Sequence, residues 1–222
     1  MTAETTSKLR RHLAEFAVIV VGVLVALWVD AGWAWLKDRG AEEQLLADLS
    51  DEFSANQVLL HTAIDRMEEI AAAGERLLTE GSASVPADSL ESFLLAVVSV
   101  ERFNPRLGTL ESAVASGRID LLRDSELRSG LAGWRAMADD ATEAVDWMVP
   151  ESLEVARLAM LDFRRGGDLR AALERIESDP DLAGMLAMKL VLLAEAIPEH
   201  RLLLDEAERI TQLIVESQAG AV

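Results

Sequence analysis

Phe16 to Val29 (FAVIVVGVLVALWV) is an uninterrupted apolar run of 14 residues. Alone, a run of that length suits a buried core helix or the core of a signal peptide. Beyond Asp30 the apolar character resumes through Ala31, Gly32, Trp33, Ala34, Trp35 and Leu36, so that residues 16–36 make 21 with Asp30 as the one charged interruption. At about 1.5 Å per residue this spans roughly 31 Å, enough to cross a bilayer once Asp30 is accommodated. A cleaved signal peptide shares the outline, with Val29-Asp30-Ala31 as its candidate cut. An aspartate and Trp28 beside that cut are poor cleavage chemistry, and an uncleaved single-pass anchor is the expectation.

The flanks assign an orientation. Lys8, Arg10 and Arg11 cluster before the run, while Trp28, Trp33 and Trp35 gather at its far end, where indole rings sit at the headgroup boundary. Arg10, Arg11, Trp28 and Trp35 are therefore read as interfacial anchors. The positive-inside bias puts residues 1–12 in the cytoplasm, a membrane helix over 13–36, and the remainder in the periplasm of a bacterial inner membrane.

At 100° per residue, Glu15, Ile19, Gly22, Ala26, Asp30 and Trp33 fall within an arc of about 80°. Phe16, Val20, Leu24, Leu27 and Trp28 occupy the opposite, lipid-suited side. Gly22 and Ala26 form a small-xxx-small pair that lets backbones approach, and two carboxylates on the same stripe would be costly against acyl chains. The stripe is expected to face protein. The competing account has Glu15 and Asp30 at the two interfaces, snorkelling into water.

After the anchor, Leu46, Phe53, Leu60 and Met67 recur every seven residues and Leu49, Ala63, Ile70 and Leu77 follow the companion position, interrupted by Asn56. One helix of around 35 residues, from Ala41 to about Glu80, is implied, and its continuity with the span is left open. A turn at Gly81 to Ser84, a helix opened by Pro86-Ala87-Asp88, a break at Asn104-Pro105 and a short helix capped by Thr109 and closed at Gly117 follow. Asp124 or Ser125 opens a helix expected to stop at Pro150; further segments cover 151–165, 168–178, started by Asp168, and 180–197, started by Asp179-Pro180, and Pro198 divides off a last helix over 198–217. The fold class is all-α: one N-terminal transmembrane helix plus an acidic up-and-down helical bundle over 37–217, with a frayed tail at 218–222.

Composition narrows function by exclusion. The chain of 222 residues has no Cys, and hence no disulfide, thiolate nucleophile or thiolate metal site. Residues 1–39 hold five basic and four acidic side chains, so that of the net -18 the rest of the chain carries -19, which repels nucleic acid and anionic lipid. His61 and Asp65 share a helix face, but no second pair completes a metal site; His12 sits at the membrane edge; there is no Glu-x-x-His repeat of the di-metal bundles. Asp139-Asp140 and Glu68-Glu69 are adjacent in sequence and do not face each other. Trp134 and Trp147 could line a pocket, although a tryptophan in a helix core is usually packing. No enzyme, no cofactor and no small-molecule substrate are expected.

The segment Glu15 to Trp33, followed by Lys37-Asp38-Arg39 and Leu45-Leu46-Ala47-Asp48-Leu49, resembles the opening of an uncharacterised family of bacterial single-pass membrane proteins. Ser116-Gly117-Arg118-Ile119-Asp120-Leu121-Leu122-Arg123-Asp124, with Leu127-Arg128, resembles its middle signature. The likeness covers roughly the first 130 residues; the placing of Gly32 between Asp30 and Trp33 departs from the usual pattern, and the C-terminal third matches nothing. It implies an N-terminal anchor, a helical domain, and no catalytic residue or cofactor.

These features lead to the expectation of a non-catalytic accessory or structural subunit that docks through its membrane helix on a larger integral-membrane complex or on its own copy. Respiratory and photosynthetic reaction-centre or light-harvesting assemblies recruit such subunits. The alternative is a membrane-anchored periplasmic sensor or ligand-binding module.

Overall fold

The computed structural model describes the backbone of residues 3–164 and 168–220, with side chains from residue 20 onward except at 31, 34, 144, 160 and 162–164. The first helix, α1 (Ala3–Glu80), runs without interruption and contains no proline. Within it lies a stretch of mean hydropathy 1.5, long and apolar enough to cross a membrane. The apolar stretch and the first domain helix are thus one rod.

The rod ends at Gly81, whose φ of 77° lies in the left-handed region that a side chain disfavours. From there the chain turns back along α1 through 3₁₀ turns at Ser82–Ser84 and Ala87–Ser89, then α2 (Leu90–Val98) and α3 (Gly108–Ala115), then a 3₁₀ turn at Arg118–Leu121. Gly117, with φ 71°, closes α3 as its position in the sequence implies. Helix α4 (Ser125–Arg164) rises parallel to α1, α5 (Leu169–Ser178) lies across the far end, and α6 (Pro180–Gly220) descends. The expected caps form: Asp124, Asp168 and Asp179 each accept hydrogen bonds from backbone N–H groups of the turn that follows.

Direction is fixed by side chains. Gln57 donates to Thr211 at 2.7 Å, Glu68 pairs with Arg201, and Gly74 leaves so little room that a Cβ there would meet Leu190 at 2.8 Å, so α6 is antiparallel to α1. Gly130 lies against Ile210 and Val155 clusters with Leu182 and Leu186, so α6 is antiparallel to α4 as well. The result is an up-and-down bundle whose first descending leg is broken into short pieces. A large core near the apolar segment joins Leu46, Phe53, Leu60 and Met67 to Trp134 and Ile210; a smaller one at the far end joins Leu77 to Leu94, Leu173 and Leu186. Each such side chain fully buried contributes about 1.5–3 kcal/mol.

Several boundaries differ from expectation. Neither Pro150 nor Pro198 ends a helix: α4 and α6 pass through both. Each proline is exposed, and the apolar stripe stays in phase across it, Met148 with Ser152 and Val155, Ala196 with His200 and Leu203. Packing on both sides outweighs the one lost N–H and the ring clash. Residues 218–220, expected to fray, belong to α6. Thr109 does not cap α3; its own N–H and that of Leu110 are held instead by the Glu52 carboxylate, at 2.6 and 3.0 Å, reaching across from α1.

Candidate functional site

From residue 20 to 38 every described side chain of α1 is exposed, in contrast to Leu45 onward, where one face closes on the core. Trp28 is 84 % and Trp33 74 % exposed, and nothing stands within 4 Å of a Cβ placed on Gly22. Gly22, Ala26, Asp30 and Trp33 therefore form an uncovered stripe, while Glu15, Ile19, Arg10 and Arg11 lie outside the described side chains. A large apolar surface of this kind on a folded chain marks contact with lipid or with another protein.

Trp35 has a second contact that its sequence position did not announce. The Arg39 guanidinium lies 5.6 Å and that of Arg123 5.9 Å from its ring. Arg123 is in turn held by Glu42, which accepts its backbone N–H at 3.0 Å and pairs with its side chain at 3.2 Å. The base of the bundle is thus fastened to the rod where the apolar segment ends.

Inside the bundle, buried polar groups serve the irregular segment between α2 and α3. Asn56, fully buried, donates to the Arg106 carbonyl at 2.8 Å and accepts its N–H at 2.7 Å. Lys189 on α6, 3 % exposed, donates to the carbonyls of Val97 at 2.8 Å and Ser99 at 2.5 Å. Burial pushes its pKa down to about 8. His200 is buried with Nδ1 2.8 Å from the Ala196 carbonyl and its ring edge-on to Phe103. Desolvation lowers its pKa, opposed by the Ala196 contact and by Glu199.

Trp134 is core, tilted against Phe53 with ring centroids 5.0 Å apart, and Trp147 is 66 % exposed. They do not share a pocket. His61 and Asp65 are both exposed, and His12 lies outside the described side chains. Among the described residues no three His, Asp or Glu side chains converge with metal-binding spacing. Lys189 and His200 were not singled out in the sequence; the signal that could have found them is their place in the periodic stripe Leu182, Leu186, Lys189, Leu193, Ala196, His200, Leu203, which the expected break at Pro198 cut in two.

Against known proteins, no family model, no curated protein and no solved structure matches this chain.

Proposed function

We propose that this protein is a non-catalytic accessory subunit of a larger integral-membrane complex, docking through the stripe Glu15, Ile19, Gly22, Ala26, Asp30 and Trp33. The observation that carries the reading is the uncovered Gly22-Ala26-Asp30 face on a rod that also forms the spine of the bundle. A carboxylate at membrane depth is costly unless protein or water receives it, and small residues beside it admit a neighbouring helix. Docking of the rod therefore places the whole bundle. The N-terminus is cytoplasmic and the acidic domain periplasmic, in keeping with the basic residues before the span. The class of assembly proposed is a respiratory or a photosynthetic reaction-centre or light-harvesting complex.

The test is affinity purification of the tagged full-length protein from native membranes in mild detergent, with mass spectrometry and an absorption spectrum, beside a Gly22→Leu, Asp30→Leu variant. Wild type is expected to bring down one large complex, pigmented or redox-active, that the variant fails to recover. Self-association through the same face would give instead a homo-oligomer lost in the variant. Both forms emerging alone and intact would overturn docking and move the ligand-binding reading to first place.

A further inference from the structure

A cavity of about 350 Å³ opens between the segment that follows α2 and the middle of α4. Val98 and Val100 line it from one side, Val149 and Leu153 from the other, with Arg102 and Ser152 completing the wall. It opens to solvent, its volume falls within the range of small-molecule sites, and four of its six lining residues are apolar.

Two polar groups define what it can hold. The Arg102 guanidinium is already met by the Asp146 carboxylate at 2.5 Å, so the mouth carries no unbalanced charge. Ser152 is 4 % exposed, and its buried Oγ has no hydrogen-bond partner in the protein. A buried hydroxyl without a partner is unfavourable, and a guest that accepts its hydrogen bond would relieve it. The wall itself is pre-formed: Lys189 ties down the Val97 and Ser99 carbonyls, and the Ser99 hydroxyl donates to the Leu95 carbonyl. At Pro150, beside the cavity, the helix supplies no N–H to the Asp146 carbonyl, a local break in the ladder.

We propose that this cavity binds a small, uncharged, mainly apolar molecule bearing a carbonyl-type acceptor, whose oxygen receives the Ser152 hydroxyl. An anion is disfavoured by the formal -18 of the chain, and a cation by a lining that offers it no carboxylate. The site stands apart from the membrane helix and does not depend on what that helix docks to.

The experiment uses the full-length protein in lipid nanodiscs and benzophenone, a neutral diaryl ketone that inserts into nearby C–H bonds under ultraviolet light. Adducts are mapped by mass spectrometry across a concentration series, those on the apolar segment of α1 serving as the internal reference for probe dissolved in lipid. Saturable labelling confined to residues 98–102 and 149–153 is expected, abolished in Leu153→Trp, which fills the mouth from an exposed position. Ser152→Ala is expected to raise the half-saturating concentration about three- to tenfold, the worth of one hydrogen bond. Unsaturable labelling spread over exposed Leu95, Trp147 and Leu202, or labelling indifferent to Leu153→Trp, would overturn the site. An unchanged half-saturation in Ser152→Ala would overturn the role of the hydroxyl.

Discussion

Asn56 separates two ways of understanding the bundle. By heptad logic it is a flaw in the stripe of Leu46, Leu49, Phe53, Leu60 and Ala63, and Asn56→Leu should stabilise by restoring an apolar seam. In the structure Asn56 is fully buried and its amide closes a two-bond ring on the Arg106 backbone, at 2.8 and 2.7 Å. Leucine has similar bulk and neither bond. Losing two hydrogen bonds and leaving a partly buried N–H and C=O unpaired costs about 2–4 kcal/mol, against a gain of about 1 kcal/mol from the added apolar surface. The net expectation is a loss of about 1–3 kcal/mol, a fall of several degrees in Tm for a domain of this size. Urea unfolding of the full-length protein in detergent, followed by far-ultraviolet circular dichroism, measures it. An Asn56→Leu variant as stable as wild type, or more so, would refute the claim that the amide holds the segment between α2 and α3 onto α1.

The buried bases and the helical prolines can be tested in the same way. Because the folded Lys189 releases its proton near pH 8 and the unfolded chain only in the ordinary lysine range, unfolded protein binds the extra proton in between, so stability should rise with pH through that window. Urea midpoints measured from pH 8 to 10 should climb in wild type relative to Lys189→Met, and parallel profiles would contradict this. For His200, also lowered, the contribution is complete above the ordinary histidine value and is lost as pH falls toward the folded value; the excess acid sensitivity of wild type over His200→Leu, read between pH 7.5 and 5, reports it. Pro198→Ala should stabilise by about 1–3 kcal/mol, since it restores an N–H to the Ala194 carbonyl in a helix that is already continuous; a thermal melt that moves downward would show that the proline is needed there.

The sequence made the helical class, the long first helix and most caps legible, because these depend on periodicity and on short-range hydrogen bonds. Phe53, Leu60 and Met67 are core where the seven-residue repeat puts them, and Asp124, Asp168 and Asp179 cap as their positions suggest. What it concealed is tertiary. Glu52 caps α3 from another helix, so the neighbouring Thr109 was the wrong local choice. Pro150 and Pro198 read as breaks because local propensity knows nothing of the buried side chains on either side. For the candidate docking stripe, chain and fold together define that Gly22, Ala26, Asp30 and Trp33 are uncovered, and any cover would belong to another molecule. The cavity beside Ser152 is assembled from residues about 50 apart, a juxtaposition no linear pattern encodes.

The unbroken α1 makes the protein a shaft with a fixed angular index. Gly22, Gly40 and Val58 are 18 residues apart, about five helical turns each, so they lie on one meridian. Nothing comes within 4 Å of a Cβ at either glycine, and Val58 is 65 % exposed. A straight neighbour seated against Gly22 and running parallel to the rod would pass Gly40 and reach Val58 some 54 Å farther along, at about 1.5 Å per residue. Adding one alanine between Leu36 and Gly40 would swing the bundle by about 100° around that axis, whereas adding seven would return it to within about 20° of its original bearing. The exposed meridian of the helix thus continues, in one register, beyond its apolar segment.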